Sequence, residues 1–158
     1  MKGNDKVLAA LNDLLADELT AINQYMVHSE MCENWGYDIL HGAIEKRAIQ
    51  EMKHAEKLIS RILFLEGLPI VSKLNPIHIG ADVAKQLEND WQAEKGAIDN
   101  YNHFIVTAQE AQDNGSRDLF TSILNDEEVH LDWLEAQLDQ IKQMGLQNYL
   151  SHQTKSPA

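Results

Sequence analysis

The chain reads as all-α, a four-helix bundle with one long crossover between helices 2 and 3 and a short C-terminal fifth helix. Three observations carry that reading. Only 3 prolines and 8 glycines interrupt 158 residues, and β-branched runs are scarce, which favours helix over sheet. Apolar residues recur at helical spacing through four long segments. One further stretch, GLPIVSKLNPIHIG, lacks that spacing, holds Pro69 and Pro76, and is far longer than a helical hairpin needs.

The first helix is expected from about Asp5 to Glu33, with Leu11, Leu14, Ile22 and Tyr25 along one face. ENWGY follows, and its glycine suits a helix C-terminus. The second runs from about Tyr37 to Glu66 on Ile44, Ala48, Ala55, Leu58, Ile62 and Leu65. The third, about Ala81 to Asp113, carries Val83, Leu87, Ile98, Tyr101 and Ile105. DNGS then breaks the pattern, with Ser116 in the place of a cap, before a fourth helix to Met144 on Phe120, Ile123, Leu131, Leu134, Leu138 and Ile141. LQNYLSHQ after Gly145 forms the short fifth helix. Tight joins make helices 1–2 and 3–4 antiparallel hairpins, and an extended crossover travels the length of the bundle and resets the direction. Residues 1–158 form one domain, bundle to about 145 and short helix with tail over 146–158.

Composition removes several classes of function. Apolar content of 44% and charged content of 24% are those of an ordinary soluble globular protein. No apolar run exceeds five residues, too few for a membrane span, and the N-terminal stretch has no signal-peptide core. Cys32 is the only cysteine, so no internal disulfide and no Cys-rich iron or zinc module can form, and a reducing, cytoplasmic location is expected. A net charge of −12 repels nucleic acid. It suits solubility or the attraction of cations.

Each apolar stripe is broken by an acid. Glu18 lies between Leu14 and Ile22, Glu51 between Ala48 and Ala55, Glu94 between Leu87 and Ile98, and Glu127 between Ile123 and Leu131. Burying a carboxylate unpaired costs several kcal/mol or forces its protonation. Four together need cations. Glu18 and Glu51 are 33 residues apart, as are Glu94 and Glu127, and each second glutamate is followed three residues later by a histidine, His54 or His130. The whole set repeats at an offset of 76, as do Tyr25 with Tyr101 and Leu58 with Leu134, and ELTAINQY aligns with EKGAIDNY. That is a duplicated helical hairpin, with approximate two-fold symmetry at the site. Residues three apart share a helix face, so each Glu-x-x-His can grip one metal. Oxygen-rich donors with one imidazole per metal suit iron or manganese rather than structural zinc.

ELTAINQY, EMKHAEKLISRILFLEGLP, DEEVHLDWLEAQL and MGLQNYL together resemble the bacterioferritin family over essentially the whole chain. The resemblance implies a ferritin-like fold and a di-iron ferroxidase centre of Glu18, Glu51, His54, Glu94, Glu127 and His130. In it Glu51 and Glu127 bridge the irons, Glu18 with His54 completes one, and Glu94 with His130 the other. It implies oxidation of Fe(II) by dioxygen or peroxide and storage of the ferric mineral in a hollow shell of two dozen identical chains. It further implies haem b at a two-fold dimer interface, with Met52 as axial ligand and Leu19, Ile22, Asn23 and Met26 lining the pocket. A small ferredoxin-type protein is the implied reductant; nucleic acid and membrane are not implied partners. The chain departs from the family at Lys46 and Gln50, where accessory inner-surface iron ligands are usual, and at Glu45, where an aromatic residue is usual. Two rival readings stand beside this one: a ferritin-like di-metal peroxidase or oxygenase without a mineral store, and a non-catalytic haem- or metal-binding bundle. Tyr25 either bonds a site carboxylate or packs in the core. Tyr101 and Trp133 are read as core residues, and His28, His41, His78, His103 and His152 as surface or capping residues.

Overall fold

The computed structural model describes residues 1–154, so positions 155–158 of the expected tail lie outside the described residues. Five helices form: α1 (Asp5–Asn34), α2 (Asp38–Phe64), α3 (Val83–Glu110), α4 (Asn114–Met144) and α5 (Leu146–Ser151). No described helix is long and apolar enough to cross a membrane.

The helix ends are set by side chains that meet orphan backbone groups. Asn4 Oδ1 accepts from the N–H groups of Lys6 (2.9 Å) and Val7 (3.3 Å), and Asp82 Oδ1 from that of Lys85 (2.9 Å). Gly36 follows the end of α1 at φ +82°, a left-handed conformation that glycine adopts without strain. At α4 the expected cap, Ser116, lies inside the first turn, and Asp113 caps instead. Asp113 accepts from Ser116 N (3.0 Å), Ser116 Oγ (2.7 Å) and Arg61 Nη2 (2.7 Å). A carboxylate there satisfies the helix N-terminus and pins α2 to α4 at once.

The apolar core falls into two clusters. One gathers Leu11, Leu14, Leu58, Ile62, Tyr101, Phe120 and Ile123; the other gathers Cys32, Leu40, Ile44, Val83, Leu87, Leu134 and Tyr149. Along the chain α1 and α4 pass from the first cluster to the second, and α2 and α3 pass from the second to the first. Helices α2 and α3 are therefore parallel, and the crossover between them must run the length of the bundle. The fifth helix closes the far end, where the buried Tyr149 donates to Gln137 Oε1 (2.7 Å).

The crossover lies on α1 and is held about once per helical turn. Ile70 N donates to Asn12 Oδ1 (2.8 Å), Asn75 N to Thr20 Oγ1 (2.9 Å), His78 N to Gln24 Oε1 (3.1 Å) and Gly80 N to His28 Nε2 (3.0 Å). An extended segment has no internal ladder, so these side chains supply its missing partners. Gly80 is required by contact: a Cβ would sit 2.3 Å from Gln86 N. His28, read from sequence as surface or capping, is fully buried between Gly80 and Asp90 Oδ1 (2.8 Å from Nδ1). Its neighbours on the crossover are remote in sequence, so no local spacing marks it.

Burial alone would raise the Asp113 carboxyl, but the hydrogen bonds from Ser116 and Arg61 and the Arg61 charge outweigh it and hold the group below the usual carboxylate range. A depressed folded value stabilises above the unfolded value and is lost as pH falls through the folded one. Asp113→Ala is expected to cost about 1–2 kcal/mol near neutral pH. Asp113→Asn keeps the cap, costs less, and its deficit should close as pH falls; urea unfolding across the acid range measures both.

Candidate metal centre

Between the two apolar clusters the bundle carries one polar layer. Glu18 from α1, Glu51 and His54 from α2, Glu94 from α3 and Glu127 and His130 from α4 all converge there, none exposing more than 3% of its surface. Each sits one or two turns from the apolar residues of both clusters, so helical register alone brings the six to one level. The structure places together every residue that the sequence singled out for the di-metal set.

His54 Nδ1 lies 2.9 Å from Glu127 Oε1, 3.0 Å from Glu51 Oε2 and 3.7 Å from Glu18 Oε2. His130 Nδ1 lies 2.7 Å from Glu94 Oε1 and 4.0 Å from Glu51 Oε1. Two groups of donor atoms result, each with all members within 4.8 Å of one another: Glu18, Glu51, His54 and Glu127, and Glu51, Glu94 and His130. Glu51 belongs to both. Glu127 falls in the first group and is within hydrogen-bonding reach of Glu94.

The electrostatics show strain of one sign. Burial raises Glu18, with the Glu127 charge adding to it. Burial and the neighbouring glutamates push Glu51 and Glu127 well above the carboxylate range. Glu94 is the exception: burial opposes it, but hydrogen bonds with Glu127, His130 and Tyr25 and the His130 charge hold it at about 2. Burial opposes a charge on His54, but the Glu127, Glu18 and Glu51 carboxylates around Nδ1, the last of them hydrogen-bonded, outweigh it and raise the imidazole above its ordinary range. Two oxygens, Glu94 Oε2 and Glu127 Oε1, are buried with no hydrogen-bond donor; the second approaches His54 Nδ1 outside hydrogen-bond geometry. Such orphans are rare and costly in native interiors. Four carboxylates, two of them with an unsatisfied oxygen, and two imidazoles form a donor set that a pair of divalent cations fits.

Two tyrosines complete the layer. Tyr25 donates to Glu94 Oε1, and Tyr101 donates to Glu18 Oε1 (2.5 Å). Burial and the surrounding carboxylates keep both phenols far above their usual range, so they remain donors. Tyr101 lies in the core, as expected, and its hydroxyl also reaches the layer. The signal was present: it stands 76 residues after Tyr25, and the two bonds exchange under the same offset that relates Glu18 to Glu94.

A cavity of about 270 Å³ reaches the layer between α1 and α3, beneath Asn75, Pro76 and His78 of the crossover. Glu18, Glu51, Glu94 and Glu127 form its floor, and Asp17, Gln24 and Asn100 its walls. Asp17 bonds Asn75 Nδ2 (2.6 Å) and Asn100 Nδ2 (2.8 Å). Burial nevertheless leaves its carboxyl above the ordinary value.

The expected haem residues lie on the outer surface. Met52 is 45% exposed and Met26 48%, Asn23 is half-buried, and Leu19 and Ile22 are half-buried against the first cluster. A groove of about 440 Å³ on α1 includes Asn23 and Met26 but not Met52. Lys46 and Gln50 line a separate cavity of about 410 Å³ with Arg47, Asp126 and Trp133. Trp133 is only partly buried, its ring 6.1 Å from that of His130. Cys32 is fully buried, and burial pushes its thiol up to about 12, which leaves it inert.

A family profile described as a ferritin-like domain matches residues 8–144. The chain is 44% identical over 154 residues to a protein named bacterial ferritin from Synechocystis sp., covering 97% of this chain and 99% of the relative. It is 41% identical over 149 residues to a bacterioferritin of Brucella melitensis, covering 94% and 92%. To a bacterioferritin of Mycolicibacterium paratuberculosis it is 39% identical over 157 residues, covering 99% of each. The chain belongs to the ferritin-like family, and within it to the bacterioferritins.

Without metal, Glu18, Glu51 and Glu127 keep protons that the unfolded chain would release. A raised folded value therefore makes stability fall as pH rises above the unfolded carboxylate range, and the raised His54 adds to the same slope. Metal-free protein should unfold at lower urea concentration at about pH 8 than at about pH 5, and Glu51→Gln should flatten that difference. Paired urea titrations of the two chains measure it.

Proposed function

We propose that this protein stores iron by oxidising it: Fe(II) is the substrate, the buried layer is the ferroxidase centre, and the ferric product is kept inside a hollow shell of two dozen copies. The observation that carries the reading is the pair of orphaned oxygens, Glu94 Oε2 and Glu127 Oε1, within a layer of four acids and two imidazoles. Glu51 and Glu127 would bridge two ions, Glu18 with His54 completing one set and Glu94 with His130 the other. Two ferrous ions side by side give up two electrons together, so that dioxygen or peroxide is reduced without release of a one-electron radical.

The chain's own groups set the terms of that reaction. An anionic donor set favours Fe(III) over Fe(II), so oxidation runs downhill. Tyr25 and Tyr101 each donate to one carboxylate oxygen, Glu94 Oε1 and Glu18 Oε1, and so restrict how the two glutamates turn within the layer. The acidic cavity beneath the crossover, with Asp17 at its wall, supports entry of a divalent cation from that side. Two apolar clusters seal the layer above and below and restrict water.

Haem b belongs to the same reading, held between two chains by one Met52 thioether from each. Exposed Met52, Met26, Val27 and Ile49 support an interface on the α1–α2 face, since a lone chain would leave these apolar side chains in water. Met52 from each chain would hold the haem, which would supply one-electron redox chemistry for reductive release with a small ferredoxin-type protein as donor.

Glu94→Ala and His130→Ala should each abolish rapid Fe(II) oxidation in a stopped-flow oxygen assay while helicity is retained; oxidation at the native rate would refute the assignment. Iron loading separates the rivals, because hundreds of irons per shell mean storage and two per chain mean a peroxidase or oxygenase. Met52→Leu should remove the Soret band of protein expressed with haem in supply and leave ferroxidase activity intact.

A further inference from the structure

The two histidines of the layer are held differently. His54 faces the glutamates with Nδ1, and its opposite ring nitrogen, Nε2, lies 2.9 Å from Asp126 Oδ2. A carboxylate at that edge accepts the Nε2 proton and leaves the Nδ1 lone pair for a metal, which is the usual way a protein selects a ligand tautomer. His130 makes one hydrogen bond among the described residues, from Nδ1 to Glu94 Oε1. The 76-residue offset assigns the missing partner. Asp126 stands one residue before Glu127 on α4, and its counterpart, one residue before Glu51 on α2, is Gln50. Gln50 is an amide rather than a carboxylate, and its Oε1 accepts from Arg47. Asp126, Gln50 and Arg47 line the same cavity of about 410 Å³, and the two offset-related positions differ in chemistry and in partner.

We propose that Asp126 is a positioning residue for one half of the centre alone: it fixes His54 with Nδ1 towards the metal, while Gln50, turned to Arg47, leaves His130 unfixed, so that the two metal positions differ in affinity. The proposal rests on the di-metal reading of the layer. The His54 half binds first and tighter, and the His130 half binds second.

Cobalt(II) titration of the metal-free assembled protein, followed by visible absorption and calorimetry, tests it. Native protein should bind two equivalents per chain in two resolved steps. Asp126→Ala should weaken the tighter step about ten- to a hundredfold and leave the looser one in place. Asp126→Asn, which keeps an acceptor oxygen, should recover part of that loss. Gln50→Asp should tighten the looser step without adding a third equivalent. Equal weakening of both steps by Asp126→Ala, or no change in either, would overturn the proposal. A third equivalent in Gln50→Asp with the looser step unmoved would overturn it too. Native protein that binds no cobalt in the layer would instead overturn the metal centre itself, which keeps the two failures distinct.

Discussion

Four carboxylates and two imidazoles share one level in the middle of this bundle, and most of the architecture can be read as an accommodation of that layer. Each fully buried leucine or isoleucine above or below it contributes about 1.5–3 kcal/mol, whereas one unpaired buried ion costs several. The metal-free protein limits the cost by keeping protons on Glu51 and Glu127, by holding His54 charged, and by donating two phenolic hydrogens from Tyr25 and Tyr101. Two oxygens still go without a partner. A pair of cations would satisfy them and release the protons, so binding and site organisation are the same event.

The layer also explains why the apolar core is divided. Residues of the first cluster precede Glu18 on α1 and follow His54 on α2, and those of the second lie on the opposite side in both cases. Each half is a small four-helix core in its own right. The two give the layer rigid walls, and six side chains on four helices then meet at one height with little freedom.

The four helices and the six layer residues were legible because both depend on spacing within a helix. Glu51 and His54 share a face wherever the helix goes, and the 76-residue repeat places the second set on the first. Tyr101 packs in the core as expected, but its bond to Glu18 was not legible although the repeat pairs it with Tyr25, since a tyrosine on an apolar face has an adequate explanation in packing alone. Asp113 was missed as the cap of α4 because Ser116 satisfies the same local rule, and only the approach of Arg61, 52 residues away, decides between them. His28 and the crossover contacts were beyond local reading. Their partners meet only when an extended segment settles along α1, and no periodicity in either segment encodes the register.

That last contact separates the two halves of the duplication. The side chains of α1 that touch the crossover include Asp17, Thr20, Gln24 and His28; the positions 76 residues later are Ala93, Gly96, Asn100 and Phe104. A doubled hairpin contains two tight turns but only one crossover, so only one of its outer helices has an extended segment to hold. The six layer positions match across the offset, and all of them face the same buried layer. The outer face diverged because it met different neighbours, and Asp126 against Gln50 extends that divergence to within one residue of the ligands. Symmetry therefore persists where both halves face the same charge and lapses where they do not.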